Sequence, residues 1–116
     1  MTAPVYGPAV LELNPVISAA DVLTALGTVI DPELGIDVVN LGMIYRIDSV
    51  GDSVRVELTL TTPGCPLHGS IVEEVRRAVA AVAPVPAKVD VDVQLVWDPP
   101  WTPDSMSESA KRALRF

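Results

Sequence analysis

The 116-residue sequence predicts an α+β domain: a small three-stranded sheet with helices packed on one face. Three observations predict it. Val54, Val56, Leu58 and Leu60 alternate with Arg55, Glu57, Thr59 and Thr61. Val89, Val91, Val93, Leu95 and Trp97 alternate with Lys88, Asp90, Asp92, Gln94 and Val96. A period of two describes strands with one wet face. Between them, Leu67, Ile71, Val75, Ala78 and Val82 recur every three or four residues, as in an amphipathic helix. Hydrophobic residues make up 49% of the chain but aromatics only 4%, so the core is aliphatic.

The remaining elements follow in order. Residues 1–16 carry Pro4, Pro8 and Pro15 without a clear period and read as an N-terminal arm ahead of one domain over 17–116. Ser18 is an N-cap candidate, with Asp21 in the first turn. Val22, Leu23, Leu26, Val29 and Ile30 share a helical face, and Pro32 ends that helix near Ile30. The apolar, partly β-branched run Val38–Ile47 predicts the first strand, joined by a turn at Val50–Ser53 to the second. Pro66 suits the first position of the middle helix, and Pro84 and Pro86 stop it. Asp98-Pro99-Pro100-Trp101 ends the third strand. A short helix from about Asp104 would turn Met106, Ala110 and Leu114 inward. The order is α-β-β-α-β-α, with a right-handed strand–helix–strand step.

Composition excludes several classes. The net charge of −7 argues against duplex DNA or RNA as a partner, which needs a basic face. A single cysteine excludes an intrachain disulfide and a zinc site built from several cysteines. No residue from Met1 to Val16 is basic, and no apolar run approaches the roughly 18 residues of a membrane span. A soluble cytoplasmic protein with a free thiol, without membrane contact, is expected. Gly-rich phosphate loops and a serine elbow are absent.

Cys65 is the sharpest chemical feature. It follows Gly64 at a strand exit and stands at the start of a helix, where partial positive charge favours a thiolate. A small buried residue is the competing account. His68, three residues on, would share one helix face with it and join a metal or a thiolate–imidazolium pair. An ordinary exposed histidine is the alternative, because two ligands fall short of the usual four. Asp31 and Glu33 flank Pro32 and offer oxygen ligands or a proton acceptor, against plain turn chemistry. Thr59, Thr61 and Thr62 lead into the cysteine loop, where β-propensity accounts for them equally well. Trp97 is in phase with the inward side chains of its strand. Trp101, with Asp98 before it, lies beyond the strand as a recognition anchor or a lid over the sheet edge. Arg76 and Arg77 read as a solvated helix face.

Four motifs then occur in a recognisable order: Asp31-Pro32-Glu33-Leu34-Gly35; Val39-Asn40-Leu41-Gly42-Met43-Ile44-Tyr45; Thr59 to Thr62 leading to Gly64-Cys65-Pro66; and Trp97-Asp98-Pro99-Pro100-Trp101-Thr102-Pro103-Asp104 with Met106-Ser107-Glu108. Together they resemble the metal–sulfur cluster biosynthetic family, the small SufT-like iron–sulfur assembly proteins, from about Val22 to Leu114. The resemblance implies an iron–sulfur-cluster-assembly-type domain and an accessory or targeting role in maturing iron–sulfur proteins, not turnover catalysis. It implies Asp31, Pro32, Glu33, Thr61 or Thr62, and Cys65 with its neighbours Gly64 and Pro66 as functional positions; His68 is not among them. A related branch (PaaD-like) serving phenylacetate degradation carries a cysteine-rich C-terminal segment that this sequence lacks.

One thiolate cannot hold a cluster that wants about four ligands. The expectation is therefore a transient cluster or iron, none bound stably by a monomer, with Cys65, His68, Asp31 and Glu33 as the ligands available. The expected partners are iron–sulfur scaffold or client proteins, and a second copy in a homodimer. Two readings compete: a thiol-dependent enzyme using Cys65 with His68 or Asp31 as base, and a purely structural interaction module, a phenylacetate-degradation accessory subunit included, that meets its partner through Trp101 and Asp98.

Overall fold

In the computed structural model, which describes residues 8–61, 68–83 and 89–115, the alternating segments are neighbouring strands of one sheet. The elements are β1 (Ala9–Leu13), α1 (Ala19–Leu26), β2 (Ile44–Val50), β3 (Ser53–Leu58), α2 (His68–Ala81), β4 (Asp90–Leu95) and α3 (Glu108–Leu114), the last preceded by a 3-10 turn at Pro103–Ser105. The strands lie in sequence order, with β1 parallel to β2, β2 antiparallel to β3, and β3 parallel to β4. The β2–β3 hairpin and the β3–α2–β4 crossover are both as expected. Val54, Val56 and Leu58 are buried, whereas Ser53 and Arg55 on the other face are exposed.

The sheet has four strands, not the three predicted, and the order opens with a strand instead of a helix. The additional strand lies within the residues read as an arm. All five residues of β1 are exposed, so no burial alternation marked them in the sequence. Their position comes from the backbone ladder to β2, in which Leu11 lies beside Asp48.

Three other boundaries move for identifiable reasons. Helix α1 is capped as predicted, with the Ser18 hydroxyl accepting from the Asp21 N–H at 3.1 Å. It ends at Leu26 because Gly27 closes it, and Ile30 is exposed instead of facing the core. Strand β2 starts at Ile44, not Val38. Residues 38–42 form a turn in which the Leu41 and Gly42 N–H groups donate to the Asp37 and Val39 carbonyls at 3.1 and 3.0 Å. Val38, Leu41 and Met43 are fully buried, so the apolar run reported burial and not extended backbone. Strand β4 ends at Leu95, and Trp97 is 45% exposed, so it does not continue the inward row.

The helices complete the aliphatic core. Helix α2 buries Ile71, Val75 and Val79, a line of every fourth residue, while Val82 is exposed, so the stripe leans away from the predicted Ala78–Val82 end. It packs on β4 and α1. Glu73 pairs with Arg76 and Arg77 on the outer face of α2. Met106 and Ala110 are buried and Leu114 is partly buried, as predicted, with Ser107 capping α3 by accepting from the Ala110 N–H at 3.2 Å.

Candidate functional site

The first motif closes on itself. Asp31 is only 5% exposed, and its Oδ1 accepts from the backbone N–H groups of Glu33 at 2.8 Å and Leu34 at 3.1 Å. The Asp31 carbonyl accepts from the Gly35 N–H at 2.8 Å, and its own N–H donates to the Ile36 carbonyl at 3.0 Å. Gly35 takes a φ of +70°, which a residue with a side chain adopts at a cost. The turn chemistry of an aspartate before proline therefore engages one Asp31 oxygen fully. Pro32 and Glu33 are exposed on the outside of this loop, and Glu33 is the carboxylate of the motif that faces solvent.

The second motif is a hub. Asp37 bridges back to Ile30, and the Val38 N–H donates to the Val29 carbonyl at 2.9 Å, so the hub sits directly on the Asp31 loop. The Asp37 carboxylate holds Asn40 twice, at the backbone N–H (2.9 Å) and at Nδ2 (2.7 Å). That orientation turns Asn40 Oδ1 outward, where it accepts from the Ser107 hydroxyl at 2.7 Å. The Ser107 N–H also donates to the Asn40 carbonyl at 2.8 Å. Gly42 is required on two counts. Its φ is +73°, and a Cβ there would lie 2.0 Å from the Ser105 carbonyl oxygen.

The fourth motif is clamped onto this hub. The Trp101 indole N–H donates to the Leu41 carbonyl at 2.6 Å, and the Tyr45 hydroxyl donates to the Pro99 carbonyl at 2.7 Å. Trp101 packs, partly buried, against the core, whereas Asp98 is exposed beside it. Tyr45, Arg46, Glu57, Asp98, Pro99 and Ser105 line a cleft of about 420 Å³. Burial pushes the Tyr45 phenol above its ordinary value of 10.0; the neighbouring Thr59 hydroxyl pulls the other way, and the Asp98 carboxylate adds to the rise.

The strand exit that leads toward the cysteine starts at the same hub. The Thr59 N–H donates to the Met43 carbonyl at 2.8 Å. Thr59 is fully buried, and its hydroxyl has no hydrogen-bond partner among the described residues. Thr61 is half-buried. Thr62, Gly64, Cys65 and Pro66 lie outside the described residues, as does any distance from Cys65 to Asp31 or Glu33. His68 is the first residue of α2. Among the described residues, no three His, Cys, Asp or Glu side chains converge as a metal site. Thus residues 37–45 gather the Asp31 loop, the Thr59 strand exit and the Trp101 segment. Asn40, Tyr45 and Ser107 had no individual role assigned in the sequence, although each lies within one of the quoted motifs.

The comparison with known families settles where this arrangement belongs. Residues 19–93 match the model of the iron–sulfur cluster assembly protein family, a span that runs from α1 into β4. The chain belongs to that family. The Fe-S protein maturation auxiliary factor YitW of Bacillus subtilis is 47% identical over 95 residues, which cover 81% of this chain and 90% of the relative. The Fe-S protein maturation auxiliary factor SufT of Staphylococcus aureus is also 47% identical, over 74% of this chain and 96% of its own length. The crystal structure of a DUF59 domain from Bacillus anthracis superposes with a TM-score of 0.75 at 37% identity, covering 84% of this chain and 91% of that one. The family that the sequence resembles is therefore shown. Among the described residues, no helix is long and apolar enough to cross a membrane.

Proposed function

We propose that this protein is an accessory factor in iron–sulfur protein maturation, acting through protein contacts and a transient thiolate contact at Cys65. Family membership over residues 19–93 carries the reading. The names of two relatives that align over most of their length, both maturation auxiliary factors, support it. The cluster is cargo in this account. One cysteine per chain is too few for the roughly four ligands that a cluster takes. Cys65 would supply one thiolate while a scaffold or client supplies the rest.

The residues around the hub divide the work. Asp31 shapes its loop through Oδ1, which leaves Glu33 as the carboxylate presented to a partner or to iron in transit. Trp101 and Asp98 present a rigid segment beside the Tyr45 cleft as the contact face for scaffold or client. We assign supporting roles beside Cys65 to Thr61, Thr62, Gly64 and Pro66, with His68, the first residue of α2, as a further donor. The role is non-enzymatic and the setting cytoplasmic.

The test compares cells with and without the protein. Activities of iron–sulfur enzymes should fall in its absence, activities of enzymes lacking iron should not, and a plasmid copy should restore the former. Equal iron–sulfur enzyme activities in both strains, also under iron limitation, would overturn the reading.

A further inference from the structure

The two edges of the sheet are built differently. The β4 edge carries Asp90 and Asp92, acidic side chains that discourage another strand from pairing there. The β1 edge, Ala-Val-Leu-Glu-Leu, has no Lys, Pro or bulge. All five of its residues are exposed, with Val10 at 49% and Leu13 at 55%, and nothing among the described residues pairs with its outer side. A bare apolar edge of this kind is a template for another strand.

The backbone fixes which groups that edge offers. The Leu13 carbonyl accepts from the Gly51 N–H at 2.9 Å, so Leu13 points its polar groups toward β2. Alternation along the strand then sends the N–H and C=O of Val10 and Glu12 outward. These two residues are placed symmetrically about Leu11. An antiparallel copy of the same strand therefore matches them: Val10 of one copy faces Glu12 of the other in hydrogen-bonded pairs, and Leu11 meets Leu11 in the close, non-hydrogen-bonded pair between them.

The side chains agree with the backbone. Leu11 and Leu13 lie beside Asp48 and Val50 on the open face of the sheet, and two copies would join their leucines into one apolar stripe. Glu12 is the only charge in β1, and its carboxylate is held by the Ala19 N–H at 2.6 Å on the helix side. No like charges then meet across the axis, although each chain carries −7 overall. We propose that two copies of this chain pair through β1, antiparallel about a two-fold axis at Leu11, into one continuous eight-stranded sheet. The occupant is a second copy because the edge matches itself in backbone groups and apolar face and sets no like charges opposite one another.

Light scattering of the full chain across a wide concentration range should report twice the chain mass of 12.3 kDa at the upper end. Leu11→Lys and Leu13→Lys should give monomers with unchanged circular dichroism, because both positions are exposed and need not disturb the core. In a Cys65→Ser background, Leu11→Cys should cross-link to itself under a mild oxidant. The Cα separation of a non-hydrogen-bonded pair, about 4.5 Å, falls within disulfide range. Val82→Cys, exposed at the end of α2, should not cross-link. A monomer at every concentration, a dimer that survives Leu11→Lys, or equal cross-linking through Val82→Cys would overturn the inference. None of these results bears on the maturation reading, which is tested by iron–sulfur enzyme activities in cells.

Discussion

The Asp31 loop and the joint between Leu41 and Trp101 are both tight turns held by short hydrogen bonds, but their partners come from different distances along the chain. The loop is closed by residues two to five positions away, Asp31 to Glu33, Leu34 and Ile36. The joint is closed across 54 to 67 positions, by Tyr45 to Pro99, Leu41 to Trp101 and Asn40 to Ser107. The loop therefore shapes itself and leaves Glu33 exposed. The joint instead ties the C-terminal segment to the core, so its residues are structural first and present Asp98 and the cleft as a consequence.

Two glycines give this contrast its largest expected effect. Gly42→Ala meets both a φ of +73° and a backbone oxygen 2.0 Å from the new Cβ. It should cost about 3 kcal/mol or more in urea unfolding, beyond the 1–3 kcal/mol of left-handed strain alone. Gly35→Ala has the same kind of φ but nothing within 4 Å of the Cβ, so about 1 kcal/mol is expected. Equal losses would mean that the joint is no tighter than the loop.

Trp101→Ala should cost about 2–3 kcal/mol, below the range for a fully buried tryptophan because the ring is only partly buried. Trp101→Phe keeps one aromatic ring but loses the pyrrole half of the indole and the bond to Leu41, and should cost about 1–2 kcal/mol. In the loop, Asp31→Ala should cost about 1–2 kcal/mol through two orphaned N–H groups, with Asp31→Asn close to neutral because Oδ1 remains an acceptor. Glu33→Ala should stay within about 0.5 kcal/mol, so any loss of client support in that variant reports a contact and not a fold defect.

The smallest effect lies in alkali. The folded Tyr45 phenol has its pKa raised above 10.0, so the folded state holds that proton more tightly than the unfolded chain. Its stabilising contribution is complete below pH 10 and declines as pH rises toward the folded value. Urea midpoints of the unaltered chain should fall faster above about pH 10 than those of Tyr45→Phe. Parallel curves would place the phenol in ordinary solvent.

The contrast between local and distant closure also explains what the sequence discloses. Strands β3 and β4 were legible because one face of each is wet, which leaves a period of two. The first strand was not, because both of its faces are exposed and only its ladder to β2 defines it. Val38–Met43 read as a strand because burial of Val38, Leu41 and Met43 looks the same in sequence whether the backbone extends or turns. Ser18, the Asp31 turn and the Ser107 cap are local hydrogen-bond patterns and could be anticipated at that level. The convergence of Asn40, Tyr45, Thr59 and Trp101 on one hub is tertiary, and no spacing along the chain encodes it. Trp97 shows the same limit: it keeps the phase of β4 but lies past the strand's end.

The central claim, maturation through a single thiolate, meets its most direct test in a strain whose sole copy carries Cys65→Ser. Iron–sulfur enzyme activities should be measured there with protein levels and folding checked against the unaltered chain. The account predicts activities as low as in the strain without the protein, with the variant folded and equally abundant. Activities equal to those of the unaltered strain would contradict it and leave Cys65 without a part in maturation.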